Sequence, residues 1–273
     1  MNAKISNSQK AGGIVRDGRA APYDFGISSV LGEAWARVNG MKAAVWGAIG
    51  WIFLVGIGFS ILNAILQALS LAPAPSEDGV INPTTLQLII GAIVAIVSAT
   101  VMISLRVGFD YLGVRRSVDL PLRSRSIFSA LHSYWKFFGL LLLQYFILSL
   151  VGMVAALLYY WTTLPSFPES AFYPVVILIA ILSIFGVYLL ISFMFSYLLI
   201  YEKKLGVCES LCTSFFAFSQ HWFKLSITYI LMIILVAISA IPLGIGLIWT
   251  FPMMTNLKGI IYRIAMGVEE VRK

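Results

Sequence analysis

Few side chains in this sequence carry groups that bind a metal or form a disulfide. Cys208 and Cys212 lie four residues apart, so both thiols fall on one face of a helix. A metal site needs more ligands nearby, and the only histidines, His132 and His221, lie in other segments. Basic flanking residues indicate the cytoplasmic side, where a disulfide is not expected. We therefore predict ordinary packing thiols, with no metal and no other cofactor.

The sequence patterns of known catalytic sites are also missing. There is no Gly-x-Ser-x-Gly elbow, no phosphate-binding loop and no His-Glu-x-x-His motif. Neither histidine lies deep in an apolar segment, where it would have to activate a Ser or Thr nucleophile as a base. We predict that the protein is not an enzyme.

Charged groups at the ends of apolar segments, and amides inside them, are the remaining candidates for a site. Arg106 and Asp110 have the i, i+4 spacing of an ion pair on one helix face, which we expect near the headgroups. The alternative is that either residue binds a lipid phosphate or a charged group of a partner protein. The amides are expected to bond between helices, with substrate contact as the alternative. The candidate lipid-phosphate or partner contacts are Arg106, Asp110, Arg115, Arg116, Lys258 and Arg263; the intramembrane polar residues are Asn63, Gln67, Gln144 and Asn256.

The segments that carry these residues are too apolar for a water-soluble protein. Of 273 residues, 60% are hydrophobic and 11% are charged, against about 25% charged in soluble domains. Five apolar runs are long enough for membrane spans. The fifth continues to about Ile264, which as one helix would be about 60 Å long, twice the roughly 30 Å of bilayer hydrocarbon. We therefore predict a turn at Pro242–Gly246. The runs are Ala43–Ala68, Thr84–Leu105, Phe137–Trp161, Pro174–Tyr201 and Leu225–Ile241.

Six spans place all 19 Lys and Arg residues on one side of the membrane. The opposite loops carry only Glu77, Asp78 and Glu169. The positive-inside rule then predicts cytoplasmic termini, and we expect the inner membrane of a bacterium. Anionic headgroups explain the net charge of +7, so no nucleic acid partner is expected. The polar first 26 residues do not resemble a cleavable signal peptide.

One pattern occurs three times along the chain: an amphipathic stretch, a span, a short loop and a second span. The stretches are Ser28–Met41, Ser126–Lys136 and Ser210–Lys224, and we predict helices lying in the membrane interface. In the third stretch Leu211 and Phe215 belong to the apolar stripe and Ser214 to the polar one. Each unit closes with a Gly-Val pair, at Gly113, Gly206 and Gly267, which we interpret as helix caps.

This repeat predicts an all-α integral membrane fold, with repeats at about 27–116, 117–209 and 210–267. The alternative is that these stretches are the amphipathic linkers found in many multi-span proteins. Each stretch also supplies a Trp and a Lys that would anchor it at the headgroups. These interfacial anchors are Trp35, Lys42, Trp135, Lys136, Trp222 and Lys224.

Three sequence segments carry a resemblance to a known family. They are Gly108-Phe-Asp-Tyr-Leu, Ser126-Ile-Phe-Ser-Ala-Leu, and Ile241-Pro-Leu-Gly-Ile-Gly-Leu-Ile-Trp-Thr-Phe-Pro252 with Tyr262-Arg263. Together they resemble the YciC-like bacterial six-span proteins, which are similar to the membrane domain of glycerophosphodiester phosphodiesterases. The resemblance covers residues 27–267 and implies a six-span fold but no activity. The chain has no stretch resembling the soluble phosphodiesterase barrel.

These observations favour a non-enzymatic accessory or scaffold subunit, or a membrane-organising factor. The alternatives are a small transporter or translocase of a lipid or hydrophobic substrate, and an intramembrane enzyme. The expected partners are anionic lipid headgroups at the cytoplasmic leaflet, and either another membrane protein or a second copy of this chain. The tail, residues 1–26, is too polar to fold alone, so we expect Met1–Asp24 to lie on a partner or on headgroups. Residues 268–273 form a short C-terminus.

Overall fold

The computed structural model describes residues 15–16, 19–20, 22–69, 85–164, 168–241 and 243–268. The regular secondary structure of these residues is helical except for a minimal antiparallel hairpin, β1 (Val15–Arg16) with β2 (Arg19–Ala20). Two 3₁₀ helices occur in the described part of the chain, Ser124–Ser133 and Glu169–Ala171. The α-helices are α1 (Ile27–Ala36), α2 (Lys42–Leu69), α3 (Thr85–Ser117), α4 (Tyr134–Thr162), α5 (Phe172–Ser192), α6 (Ser196–Lys203), α7 (Val207–Gln220), α8 (Trp222–Ala240) and α9 (Leu247–Met266).

Five helical stretches among the described residues are long and apolar enough to cross a membrane. This is the architecture of an all-α, multi-pass membrane protein, as the composition predicts. The stretches are Lys42–Leu66, Gln87–Ser117, Ser124–Thr162, Phe172–Lys203 and Trp222–Ala240.

The predicted sixth span corresponds to α9, which is not among these five stretches. Its 20 residues extend about 30 Å, enough for a bilayer core, but they include Lys258 and Arg263. The predicted turn before α9 is present. A Cβ on Gly246 would lie 2.7 Å from the carbonyl oxygen of Ser239, so the two helix ends approach closely. Pro242 itself lies outside the described residues, as do the loop 70–84 and residues 269–273.

The described chain divides into two compact units that cut across the predicted repeat boundaries. The first, here called the α2–α3 unit, comprises Ser28–Tyr134 and Met232–Ile260. Its core consists of fully buried apolar side chains from the start of α2, the second half of α3 and the 3₁₀ helix. They are Met41, Val45, Ala48, Leu105, Leu112 and Ile127.

The second predicted amphipathic stretch lies directly on α3 in this unit. A Cβ at Gly108 would be 2.3 Å from the carbonyl oxygen of Ile127, so only glycine permits this backbone contact. The stretch is a 3₁₀ helix up to Ser133, followed without interruption by α4. Three residues per turn place Ile127, Ala130 and Ser133 on its buried face. The α-helical stripe expected over Ser126–Lys136 is therefore wrong.

The second unit, the α4–α7 unit, comprises Trp135–Leu231, Ile261–Lys273 and the described part of Met1–Ile27. The fourth apolar run of the chain lies in this unit and is interrupted, because α5 ends at Ser192 and α6 begins at Ser196. The buried Ser214 hydroxyl of α7 accepts the N–H of Phe195 at 3.2 Å and donates to the carbonyl of Ser192 at 2.6 Å. It thereby replaces helical hydrogen bonds that the interruption removes.

The buried face of α7 consequently differs from the predicted one. Ser210, Thr213 and Ser214 are buried, whereas Cys212 and Phe216 are exposed. Small polar side chains face the protein because they can approach and bond a neighbouring backbone. The prediction that Ser214 belongs to an outward polar face is wrong.

The end of the N-terminal tail folds onto its own chain, with β2 lying against α7. The Tyr23 hydroxyl donates to the Ala217 carbonyl at 2.8 Å, and the His221 ring contacts both Tyr23 and Phe25. Burial raises the pKa of Tyr23. The expectation that all of Met1–Asp24 needs a partner to become ordered is therefore wrong for Tyr23 and Asp24; residues 1–14 lie outside the described residues.

Candidate functional site

Most basic residues proposed to contact lipid or a partner form hydrogen bonds or ion pairs within the chain. In the α2–α3 unit, Arg37 pairs with Glu33 at 2.8 Å and with Asp119 at 2.7 Å. Arg116 donates to the carbonyls of Arg37 at 3.0 Å and Asn39 at 2.6 Å. These bonds fasten the end of α1 to the end of α3.

Arg115 is also engaged, since it donates to the Pro121 carbonyl at 3.1 Å. Two of the predicted phosphate contacts, Arg115 and Arg116, thus hold backbone segments in place. No local pattern indicates the pairing of Arg37 with Asp119, because the two residues lie 82 positions apart in the chain.

The predicted pair between Arg106 and Asp110 is absent. Asp110 of α3 instead pairs with Lys258 of α9, and both side chains are about 15% exposed (16% and 15%). Arg106 is exposed and has no ion pair within the described chain. The i, i+4 spacing permitted the local pair, but the inter-helix pair buries both charges together and satisfies them.

Arg263 lies in a second group of charged residues, in the α4–α7 unit, and is only 6% exposed. Close to it in sequence, Tyr262 donates to the Glu202 carboxylate at 3.0 Å, and Lys203 lies 3.7 Å from the same oxygen. The side chains of Glu202 and Lys203 are also buried. The sequence shows a tyrosine five residues before two of the three closing glycines, Tyr201 and Tyr262, but not the acidic partner of Tyr262.

Among the described residues of the tail, Asp24 forms an exposed ion pair with Lys224 at 2.5 Å. The hydrogen bond from Lys224 lowers the pKa of Asp24. Lys224, which was predicted to anchor the chain at the headgroups, also holds the tail through this ion pair.

The three tryptophans predicted as interfacial anchors point outward. Trp35, Trp135 and Trp222 are 54%, 78% and 52% exposed. Among the paired lysines, Lys42 lies 4.7 Å above the ring of Trp249. Lys136 donates to the Lys204 carbonyl at 3.3 Å.

The amides predicted inside the spans have different environments. Gln144 accepts a hydrogen bond from Tyr197 at 2.8 Å, which joins α4 to α6 as expected. Asn256 is fully buried and donates to the Ala34 carbonyl of α1 at 3.2 Å. Asn63 is exposed and makes no hydrogen bond to any described residue. The side chain of Gln67 lies outside the described residues.

Asn63 lies at the edge of an open cleft between α2 and α3. Two adjoining voids of about 290 Å³ and 420 Å³ share Gly56, Ser60 and Met102. Small residues line much of the wall on both helices: Gly56 and Ser60 on α2, and Gly91, Ala95 and Ser98 on α3.

Gly56 and Ser60 on α2, and Gly91 and Ala95 on α3, are spaced four apart, as in small-xxx-small packing motifs, and Ser98 follows Ala95 by three residues. The Ser60 and Ser98 hydroxyls are bonded to carbonyls of their own helices, so the wall is smooth and largely self-satisfied. Small residues of this kind let another helix backbone approach closely. The amide of Asn63 at the edge offers a hydrogen bond that no described residue uses.

Cys208 and Cys212 are free thiols on the exposed side of α7. Within the described residues, no three His, Cys, Asp or Glu side chains gather into a metal-binding group. Both thiols line an apolar groove between α4 and α7.

Comparison with known proteins found no matching family model, no matching curated protein and no matching solved structure.

Proposed function

We propose that this protein is a non-enzymatic accessory or scaffold subunit of a membrane, which holds a transmembrane helix of a partner protein in the α2–α3 cleft. One observation carries the proposal: an open groove lined by small residues, with the unused amide of Asn63 at its edge. Close backbone packing and inter-helix hydrogen bonds drive helix association in lipid, where the hydrophobic effect does not.

The position of the cleft along α2 supports this reading. Lys42 begins the helix, and Ser60 lies 18 residues further, about 27 Å along the axis. The cleft lining runs from Ile49 to Asn63, about 21 Å along the axis, and so extends through the middle of the bilayer core to its far edge.

The proposal includes six spans with both termini in the cytoplasm of a bacterial cell. The positive-inside distribution supports it, and α9 is long enough to be the sixth span. The three outward tryptophans support interfacial placement of the segments that carry them. The resemblance to YciC-like proteins agrees with this topology and adds no activity.

Filling the cleft tests the partner proposal. The double variant Ser60→Leu/Ser98→Leu places two large side chains in the groove without adding charge. The matched control is Gly58→Leu, because Gly58 is exposed on the same helix and a Cβ there meets nothing within 4 Å. Tagged protein is isolated from its native membranes in mild detergent and the co-purifying proteins are quantified.

We expect a stoichiometric membrane protein with the native chain and the control, and its loss with the double variant. Equal recovery with all three proteins would contradict the cleft as the docking site. A second copy of the chain in place of another protein would identify the scaffold as a self-associating one.

A second candidate is a small transporter or translocase of a lipid or hydrophobic substrate. The apolar groove beside α7, of about 360 Å³, favours this candidate because the groove is open at the surface of the α4–α7 unit. Transport would require the groove to empty on the other side of the membrane. Lipid flipping by the purified chain in vesicles, compared with protein-free vesicles, distinguishes this candidate from the scaffold.

A further inference from the structure

The groove in the α4–α7 unit has an entirely apolar lining on two helices. One wall is α4, with Leu143 and Ile147, and the other is the outward stripe of α7. Its volume of about 360 Å³ lies at the low end of small-ligand sites, roughly 300–1,000 Å³. The α7 side and the helix interruption contribute Phe193, Cys208, Leu211, Cys212, Phe215 and Phe216.

The size of the groove matches a single acyl chain. One water occupies roughly 30 Å³ of the liquid, and a methylene group is of similar size. The groove therefore holds roughly a dozen methylenes. Of the α7 side chains that form it, Cys208, Cys212 and Phe216 are exposed in the free chain, Phe215 is half-buried and Leu211 is buried.

Two lysines lie at one end of this groove. Lys136 and Lys204 are both exposed, and Lys136 Nζ donates to the Lys204 carbonyl at 3.3 Å. Lys136, Leu143 and Ile147 are spaced seven and four residues apart, so they share one face of α4. The lysine lies about 10 Å along the axis from Leu143.

The starts of α4 and α7 are held together at this end. A Cβ on Gly139 would lie 3.8 Å from the Val207 side chain, an ordinary van der Waals contact. The Lys204 ammonium also lies 5.2 Å from the Tyr201 ring. Neither lysine has a carboxylate partner within the described chain, and the nearby Glu209 carboxylate accepts the Gly206 N–H at 3.4 Å.

We propose that this groove binds one anionic phospholipid, with an acyl chain between α4 and α7 and the phosphate between Lys136 and Lys204. The ammonium groups select the anionic headgroup, and the apolar lining takes the chain. The proposal rests on the membrane location of the chain and not on the partner helix in the α2–α3 cleft.

The test uses the full-length chain in nanodiscs with two lipid probes. Phosphatidylglycerol and phosphatidylcholine each carry a diazirine midway along one acyl chain, and labelled peptides are identified by mass spectrometry. We expect phosphatidylglycerol to label the peptides containing 143–147 and 208–216 in preference to phosphatidylcholine. Loss of each lysine should reduce this preference about fivefold, the effect of one basic residue near an anionic bilayer surface.

Three variants separate the site from bulk lipid contact. Lys136→Gln/Lys204→Gln should lower phosphatidylglycerol labelling to the phosphatidylcholine level. Cys212→Trp should fill the groove and reduce labelling by both probes. Arg106→Gln removes an exposed basic residue without an ion pair and should leave labelling unchanged.

Equal labelling by both lipids in the native chain, or labelling that survives either groove variant, would overturn the proposal. Elution of each variant as the native species on size exclusion verifies folding. If Cys212→Trp fails that check, the lysine variant alone decides. Partner capture through the α2–α3 cleft is measured separately, so the two proposals can fail independently.

Discussion

Replacing either glycine at the contact between α3 and α9 should destabilise the α2–α3 unit strongly. A Cβ at Gly113 would lie 2.0 Å from the Thr255 carbonyl oxygen, and one at Gly259 would lie 2.1 Å from the carbonyl carbon of Gly113. Ordinary contacts begin at 3.4 Å, so the helices must separate by about 1.4 Å to admit a methyl group. The obstacle is backbone, so no side-chain rotation relieves it.

The expected magnitude follows from two opposing effects. Overpacking costs about 1–3 kcal/mol and sometimes more, whereas alanine gains about 1 kcal/mol over glycine in a helix interior. With backbone on both sides of the clash, we expect a net loss of about 2 kcal/mol for Gly113→Ala. At 2–4 °C per kcal/mol this lowers the melting temperature by about 4–8 °C.

The assay is thermal unfolding in detergent, followed by fluorescence-detected size exclusion. Gly50→Ala and Gly58→Ala are matched controls, because both lie in α2 and a Cβ there meets nothing within 4 Å. They should melt at or above the native temperature. A Gly113→Ala protein that melts with the controls would refute the direct backbone contact.

Three further predictions use the same unfolding measurement or hydrogen exchange. Asp110→Asn and Lys258→Met should each destabilise the protein more than the double variant does, because a single change leaves one mostly buried charge unpaired. Arg106→Gln is the control. A double variant less stable than both single variants would contradict the ion pair. Ser214→Ala should lower the free energy of unfolding by about 1–3 kcal/mol because the Phe195 N–H loses its acceptor. Ser219→Ala removes a hydrogen bond within α7 and should lower it less. Equal losses would contradict the role of Ser214 as a bridge between helices. The depressed pKa of Asp24 means that its bond to Lys224 stabilises tail docking above the ordinary Asp pKa of about 3.9 and is lost as pH falls through the folded value. Amide exchange at residues 23–26 should therefore accelerate below that pH in the native chain, and an Asp24→Asn chain that showed the same acceleration would contradict this cause.

Length and apolarity were sufficient to predict the long helices and the turn before α9. These features depend on chain-local quantities, namely hydrocarbon thickness, helix rise and the position of Gly246. The exposed tryptophans also follow from local pattern, since an aromatic ring beside a lysine suits the interface. The apolar composition was therefore sufficient to predict an all-α, multi-pass membrane architecture.

Contacts between distant segments could not be predicted in the same way. Asp110 had a suitable partner four residues away, and nothing local indicated Lys258, 148 positions later. Gly113 was interpreted as a cap, but α3 continues to Ser117 and the glycine serves close packing against α9. Gly206 is instead the N-cap of α7, whereas Gly267 follows α9 with a φ of +69°, as a C-terminal cap requires.

The interruption between α5 and α6 was also hidden in the sequence. The run from Phe172 to Lys203 is continuously apolar, without a glycine or proline at the interruption. Its signal was a serine on another helix, since Ser214 supplies the replacement hydrogen bonds. A hydroxyl on a helix face is ambiguous until the neighbouring backbone is known.

Photo-crosslinking from within the α2–α3 cleft tests the proposed function most directly. Benzoylphenylalanine replaces Phe59, an aromatic residue of the cleft, or Leu54, which is exposed on the same helix and does not line it. Native membranes are irradiated and adducts of the tagged chain are resolved by mass. We predict a protein adduct from position 59 and only lipid adducts from position 54; lipid adducts alone at both positions would contradict a partner helix in the cleft.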